Sequence, residues 1–266
     1  MVKCIHKYVI NTKTNPQPPG VGDFLRGTIA LYELSKKYGY ELYFDNNHPF
    51  FSYLENSPYI VSNNSEAIEL IPPIDYDNIY NSLVSLFESS NDFTVLTNAF
   101  YKEDISIECK KYLQNILIPS VEVKNKIEDI FTNFFKISIN ESYKVIHLRF
   151  GDRFIHNNEY DNDIYELYYN KIQNLLKQNN ETKYILISDS SQIANKLKEN
   201  IDELYYWNNS KIHLGDLRNN ETNLQGTVYD TMVDFFILSK ATEIISNGSG
   251  FSRYLSRIFD ICYTGI

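Results

Sequence analysis

Cysteine, tryptophan and positive charge are scarce in this sequence. Of 266 residues, three are cysteine and one is tryptophan. Cys4, Cys109 and Cys262 lie far apart, form no C-x-x-C and join no histidine cluster, which excludes a zinc finger and a disulfide framework. The odd cysteine count and the lack of a signal-peptide pattern predict a reducing, cytoplasmic setting. No apolar run approaches the roughly 20 residues a helix needs to span a bilayer. Basic residues number 25 against 34 acidic ones, a net charge of −9. Without a positive excess the chain is neither a sequence-independent nucleic-acid binder nor a polybasic membrane-surface protein. A small anionic ligand remains within reach of a few well-placed arginines.

What is present suffices for a core. Hydrophobic residues make up 43% and charged residues 22%, which excludes disorder. Tyrosine (22) and phenylalanine (16) are abundant, and asparagine is common. An excess of Ile, Asn, Lys and Tyr is what AT-rich coding produces, so the aromatic wealth is read as coding bias. The same holds for chance sequons such as Asn63-Asn64-Ser65 and Asn180-Glu181-Thr182.

Periodicity divides the chain into two α/β sets. Lys7-Tyr8-Val9-Ile10 is a β-favouring run, followed by a Pro/Gly loop over 15–22. Phe24, Leu25, Ile29, Leu31, Tyr32 and Leu34 then recur at helical spacing up to Tyr38, where Gly39 supplies a stop. Glu41–Phe44 is the next strand, which completes a βαβ unit. A polar stretch follows, with helices expected around 78–89, 104–117 and 121–135. The second set has strands at 144–148, 184–187 and 243–246. Its helices are expected at 164–176, from Ser190 or Ser191 to Leu197, and at 227–240 and 251–259. Buried strands alternating with helices predict parallel sheets covered on both faces. A break over 136–142 suggests an N-terminal α/β domain, 1–138, and a C-terminal one, 139–266. Two such domains facing one another would hold a ligand in the cleft at their strand carboxyl ends.

The sharpest chemical segment is Val145-Ile-His-Leu-Arg-Phe-Gly-Asp-Arg153. An apolar strand runs straight into Arg149, Gly151, Asp152 and Arg153. Arginine suits a diphosphate, because its planar fork binds two oxygens and never loses charge. Asp152 would hold an arginine or bind a sugar hydroxyl. A surface turn closing the strand is the plain alternative. His147 has no second ligand at metal spacing and is read first as a structural histidine. His-x-Arg-x-Gly-Asp after a strand resembles the signature of the GDP-fucose-dependent fucosyltransferases, which include α-1,2, α-1,6, nodulation and protein O-fucosyltransferases.

Three further segments extend the resemblance. Pro19-Gly-Val-Gly-Asp-Phe-Leu-Arg-Gly27 is similar to the glycine-rich loop that opens the nodulation and α-1,6 enzymes, with Gly20, Gly22 and Arg26 at the nucleotide sugar. It is not the dinucleotide fingerprint, since Leu25 stands where a third glycine belongs. Tyr184-Ile-Leu-Ile-Ser-Asp-Ser-Ser191 resembles the family strand whose terminal acid reads guanine, here Asp189. Capping of the next helix is the plain reading of Asp189 and its neighbours. Val228–Ala241, followed by Ile244-Ile-Ser-Asn-Gly-Ser-Gly-Phe-Ser-Arg253, looks like the family's Asp-x-x-x-Leu-Ser helix and serine-rich turn. The resemblance places Asp234 in the sugar-nucleotide site. It sets Ser249, Gly250 and their neighbours around phosphates at a helix N-terminus. Relatives often carry two serines where Ser249-Gly250 stands, and Arg253 reads equally as a phosphate partner or a solvated helix residue.

The resemblance implies two facing Rossmann-like domains of GT-B type with the nucleotide sugar between them. It implies inverting, metal-independent transfer of fucose from GDP-fucose to a carbohydrate or other hydroxyl acceptor. The GDP-sugar is a co-substrate, and no cofactor or metal is expected. Glu159 is the candidate general base by its place in the Glu-to-Tyr segment, with Asp152 or His156 as substitutes. A plain acid opening a helix fits Glu159 equally. Two rivals stay open. One is a metal-dependent transferase using Asp75-Tyr-Asp77 or Asp161-Asn-Asp163, although both pairs sit at expected helix starts. The other is a GDP-sugar-binding protein whose chemistry has been lost.

Overall fold

Contacts sort the chain into two units, Met1–Ser120 and Val121–His213 with Gln225–Ile266. The computed structural model describes residues 2–8, 20–45, 49–55, 66–151, 154, 160–178, 182–208 and 224–266.

The first unit is built on a parallel sheet of order β2-β1-β4-β3, from β1 (Val2–His6), β2 (Tyr40–Phe44), β3 (Ile68–Leu70) and β4 (Phe93–Thr97). Helices α1 (Val21–Tyr38), α2 (Tyr76–Glu88) and α3 (Ile107–Ile116) connect and follow these strands. The βαβ unit is present, but its first strand is Val2–His6 and not Lys7–Ile10. Cys4 and His6 turn inward on that strand, and Lys7 adds one bond to Val95 O at 2.8 Å. Val9 and Ile10 lie outside the described residues. Helix α1 ends as expected at Gly39, whose φ of 76° lets its N–H reach Ser35 O. Strands β3 and β4 occupy a stretch in which the sequence pattern shows only helices. All five residues of β4 are buried, so it lacks the alternation that marks a half-exposed strand.

The aromatic wealth fills this core. Phe24 meets Phe50 edge-on at 5.6 Å, Phe50 meets Phe51 at 4.4 Å, and Phe87 packs between Tyr40 and Phe93. Gly27 lets α1 approach β4 closely, since a Cβ there would stand 2.0 Å from Thr97 O.

His6 lies fully buried, stacked on Phe24 at 4.1 Å, with Nε2 3.3 Å from Thr97 O and Nδ1 3.0 Å from the Thr28 hydroxyl. Burial lowers its pKa from 6.5 to about 3, against a smaller upward pull from the Thr97 carbonyl. Between those values the unfolded chain binds a proton that the folded chain refuses. Stability from this group is therefore complete above pH 6.5 and lost as pH falls towards 3. We expect the unfolding free energy to drop by up to about 1.4 kcal/mol per pH unit in that window from His6 alone. Urea titrations check this: the stability gap between wild type and His6→Gln should narrow from pH 7 to pH 4, and a constant gap would contradict it.

The second unit holds a parallel sheet of order β7-β6-β5-β8-β9. Its strands are β5 (Tyr143–Leu148), β6 (Lys183–Ser188), β7 (Leu204–Tyr206), β8 (Glu243–Ser246) and β9 (Cys262–Gly265). Helix α4 (Val121–Asp129) continues into a π-helical turn over Ile130–Phe135. It is followed by α5 (Asn162–Gln178), α6 (Ser191–Asn200), α7 (Leu224–Ser239) and α8 (Gly250–Phe259). The division at Ser120 falls earlier than the break at 136–142. Phe131 packs on Tyr143 at 5.2 Å and Phe135 on Tyr205 at 5.7 Å, which ties the 121–135 segment to the second sheet. Ile146, Leu148, Tyr184 and Leu186 of the central strands pack with Ile172 of α5 and with Ile193 and Leu197 of α6. Edge strands β7 and β9 were not expected: one has three residues, and the other is mostly exposed. Among the described residues no helix is long and apolar enough to cross a membrane.

Candidate functional site

In the second unit the chain runs from β5 outward to β7 and then crosses to β8 on the other side. The carboxyl ends of β5 and β8 therefore form the switch point at which open parallel sheets take ligands. Arg149 follows β5 directly, and Asn247 follows β8. The Asn247 side chain accepts from Arg149 N–H at 2.8 Å and donates to Arg149 O at 2.9 Å.

Asp189, the residue after β6, turns its carboxylate towards the same loop. Oδ1 accepts from Phe150 N–H at 2.8 Å, and Oδ2 accepts from Gly151 N–H at 3.0 Å and from the Arg149 guanidinium. Gly151 has φ +102°, a conformation that favours glycine and brings its amide round to the carboxylate. Both oxygens are engaged on a side chain only 9% exposed. In this arrangement the carboxylate fixes where the guanidinium points.

Helix α8 begins three residues after β8. The Ser246 hydroxyl accepts from Gly248 N–H at 3.3 Å and lies 3.2 Å from Ser252 Oγ. Ser249 occupies the N-cap position, yet its side chain makes no capping bond. Elsewhere the same residue types do cap: Asp75 on α2, Ser106 on α3, Asp161 on α5 and Ser190 on α6. A helix start with a serine in place and no side-chain cap keeps its amides and positive dipole end for an anion. Gly250 adds an open position, the nearest neighbour of a built Cβ being Tyr254 at 4.0 Å. Arg253 is exposed on the first turn.

Five of the sequence-derived residues thus lie at or just beyond the carboxyl ends of β5, β6 and β8: His147, Arg149, Asp189, Ser249 and Gly250. His147 is buried with its ring 5.8 Å from Phe251, as a structural histidine would be. Asp234 is buried on α7. Burial, and then the Asp234 charge, push the Tyr206 phenol upward. Gly20, Gly22 and Arg26 belong to the start of α1 in the first unit, where Gly20 is the N-cap. Arg26 is buried there: its Nε–H donates to Asn98 O at 2.6 Å and its NH2 group lies 2.9 Å from Asp23. Asp152, Arg153, His156 and Glu159 lie outside the described residues. Both Asp-x-Asp pairs serve helices: Asp75 and Asp161 cap α2 and α5, and Asp77 pairs with Lys102 at 2.8 Å.

Sequence reasoning missed the bracing by Asn247 and the need for Gly27. The second had a signal, because glycine inside a helix costs about 1 kcal/mol against alanine and so marks a close approach.

Two open parallel sheets alternating with helices match the GT-B fold of fucosyltransferases. Among solved structures the chain is similar to NodZ alpha-1,6-fucosyltransferase soaked with GDP-fucose, at 16% identity and TM-score 0.63, over 97% of this chain and 92% of that one. It is similar to fucosyltransferase NodZ from Bradyrhizobium at 15% identity and TM-score 0.60, over 96% and 91%. POFUT1 in complex with GDP matches at 10% identity and TM-score 0.57, over 99% and 98%. No protein-family model and no curated protein matches the sequence. At these identities the likeness is one of fold.

Proposed function

We propose that this chain is an inverting, metal-independent fucosyltransferase that moves fucose from GDP-fucose to a hydroxyl of a carbohydrate or other acceptor. The observation that carries the reading is the switch point of the second unit, where an arginine aimed by Asp189 stands one strand away from a helix start with no side-chain cap. Among the solved structures of the same fold, NodZ was soaked with GDP-fucose and POFUT1 is in complex with GDP, which supports the donor class.

In this reading the diphosphate lies against the amides of α8, with Ser249, Gly250 and Ser252 around it, and the Arg149 guanidinium meets the β-phosphate. The acceptor hydroxyl attacks the anomeric carbon. Its oxygen forms the new glycosidic bond while the bond to the β-phosphate oxygen breaks, and GDP leaves with inversion. The acceptor proton goes to a base, for which Glu159 is the candidate and Asp152 or His156 the substitutes. Arg149 gains most as negative charge builds on the leaving phosphate, so its contact is strongest in the transition state. Arg153, Asp234, Gly20 and Gly22 are proposed contributors to the nucleotide-sugar site. Guanidinium and helix dipole supply the positive charge that a divalent cation gives other transferases.

Calorimetric titration with GDP, GDP-fucose, GDP-mannose and UDP-sugars tests the donor. We expect GDP and GDP-fucose to bind and UDP-sugars not to, and absence of GDP-fucose binding would overturn the reading. Transfer in EDTA should stay within about twofold of transfer with magnesium, a change of only about 0.4 kcal/mol in the barrier. Loss of activity in EDTA would move the reading to a metal-dependent transferase. Tight GDP-fucose binding without turnover on any acceptor class would leave a binding protein.

A further inference from the structure

In the first sheet β1 and β4 lie side by side at the centre of the order β2-β1-β4-β3, with their carboxyl ends at one edge. There β4 runs out at Thr97 into Asn98-Ala99-Phe100, and α1, which follows β1, brings Arg26 alongside.

Arg26 supports an aromatic ledge. Its side chain is 9% exposed and anchored on Asn98 O. The guanidinium lies 4.0 Å from the Phe100 ring centre and 5.1 Å from that of Tyr76, and the two rings meet edge to face at 4.8 Å. A buried cation thus holds both rings in place. They nevertheless stay open to solvent, Phe100 at 39% and Tyr76 at 41%. Keeping two fixed aromatic rings uncovered forgoes burial worth about 25 cal/mol per Å² and marks a contact surface.

The rim of the ledge is polar and close to neutral. Asp23, 44% exposed, stands beside Arg26, and the exposed Asp77 and Lys102 pair at 2.8 Å. Lys102 also lies over the Tyr80 ring at 5.1 Å. Each of the two cations has its own carboxylate, so no surplus positive charge is left to draw a phosphate. Open ring faces bordered by carboxylate and ammonium groups fit a ligand with an apolar face and a belt of neutral hydroxyls.

We propose that this ledge is a carbohydrate subsite that takes one neutral pyranose ring, its C–H face against Phe100 and Tyr76 and its hydroxyls on Asp23 and Lys102. Calling that ring part of the acceptor rests on the fucosyltransferase reading; the sugar binding does not. Arg26 is here a positioning residue for the two rings.

The test is saturation-transfer NMR on the full chain, without nucleotide, using neutral oligomers of glucose, galactose, mannose and N-acetylglucosamine. At least one oligomer should bind wild type. Its affinity should fall about tenfold or more in Phe100→Ala and in Tyr76→Ala, while GDP affinity by calorimetry stays within about twofold. If Phe100→Ala does not fold, Phe100→Leu keeps apolar bulk over Arg26 and removes the ring face. The proposal is overturned if no oligomer binds wild type, or if the ring variants bind as wild type does. Sugar capture that depends on the ledge, in a protein that ignores GDP-fucose, would sink the donor reading and leave the subsite standing. GDP-fucose binding with no sugar capture would do the reverse.

Discussion

Arg149→Ala is expected to lower the turnover of fucose transfer by about 10²–10³-fold, the usual loss when one donor to a developing oxyanion is removed. The loss should appear in the single-turnover rate more than in the affinity for GDP, because the contact strengthens as the phosphate leaves. Arg149→Lys should recover little. Asp189 and a phosphate oxygen must be met from one side chain at once, which the guanidinium fork allows and a single ammonium does not. Asp189→Asn is informative beside it, since the brace on the guanidinium weakens while the charge at position 149 is kept. Single-turnover measurements with radiolabelled GDP-fucose read these effects, with thermal melts to show that the variants fold. An Arg149→Ala enzyme with more than about a tenth of wild-type turnover would refute the assigned role.

Gly27→Ala is expected to destabilise the fold by about 3 kcal/mol, the upper part of the range for overpacking a close contact. The sign is the informative part. Glycine to alanine inside a helix ordinarily adds up to about 1 kcal/mol of stability. Here the new methyl would meet Thr97 O at 2.0 Å and Thr97 C at 2.9 Å, both main-chain atoms of a central strand that cannot swing aside. Helix α1 would have to lift off β4. Arg26, one residue earlier, would lose its hold on Asn98 O, so the ledge over it should loosen with the core. Urea unfolding gives the first effect, and oligosaccharide affinity of the folded fraction gives the second. A Gly27→Ala protein as stable as wild type would mean that α1 and β4 stand further apart than described.

The elements most legible in the sequence were those whose burial leaves a pattern. Helix α1 shows its apolar spacing and its glycine stop, and β5 and β8 are apolar runs followed by polar turns. Strand β4 escaped because Phe93-Thr-Val-Leu-Thr97 is buried on every side and sits in a polar stretch. Strands β3 and β7, three residues each, are too short for any period to register. The first strand was placed too late because Lys3 and His6 interrupt an otherwise apolar run, whereas in the fold His6 behaves as a neutral core residue. In the candidate site, Arg149 and Ser249 stand out in the sequence because each closely follows an apolar strand. The inward turn of Asp189 leaves no mark in the sequence, because it depends on a loop 40 residues away. The anchoring of Arg26 is hidden for the same kind of reason: its partner, Asn98 O, lies 72 residues further on.

The paired bonds between Asn247 and Arg149 bear on how a sheet can end at a site. A carboxamide carries the same donor and acceptor as a peptide group. By presenting both to one residue, Asn247 supplies β5 with a last rung made of side chain, beyond the point where the main chain of β8 has stopped running alongside. The main chain is thereby released to turn through Gly248, at φ +110°, and to start α8 with its amides free of the ladder. Closing the sheet and aiming the helix are jobs that one backbone segment cannot do together, and here they are shared between the side chain of one residue and the main chain that follows it.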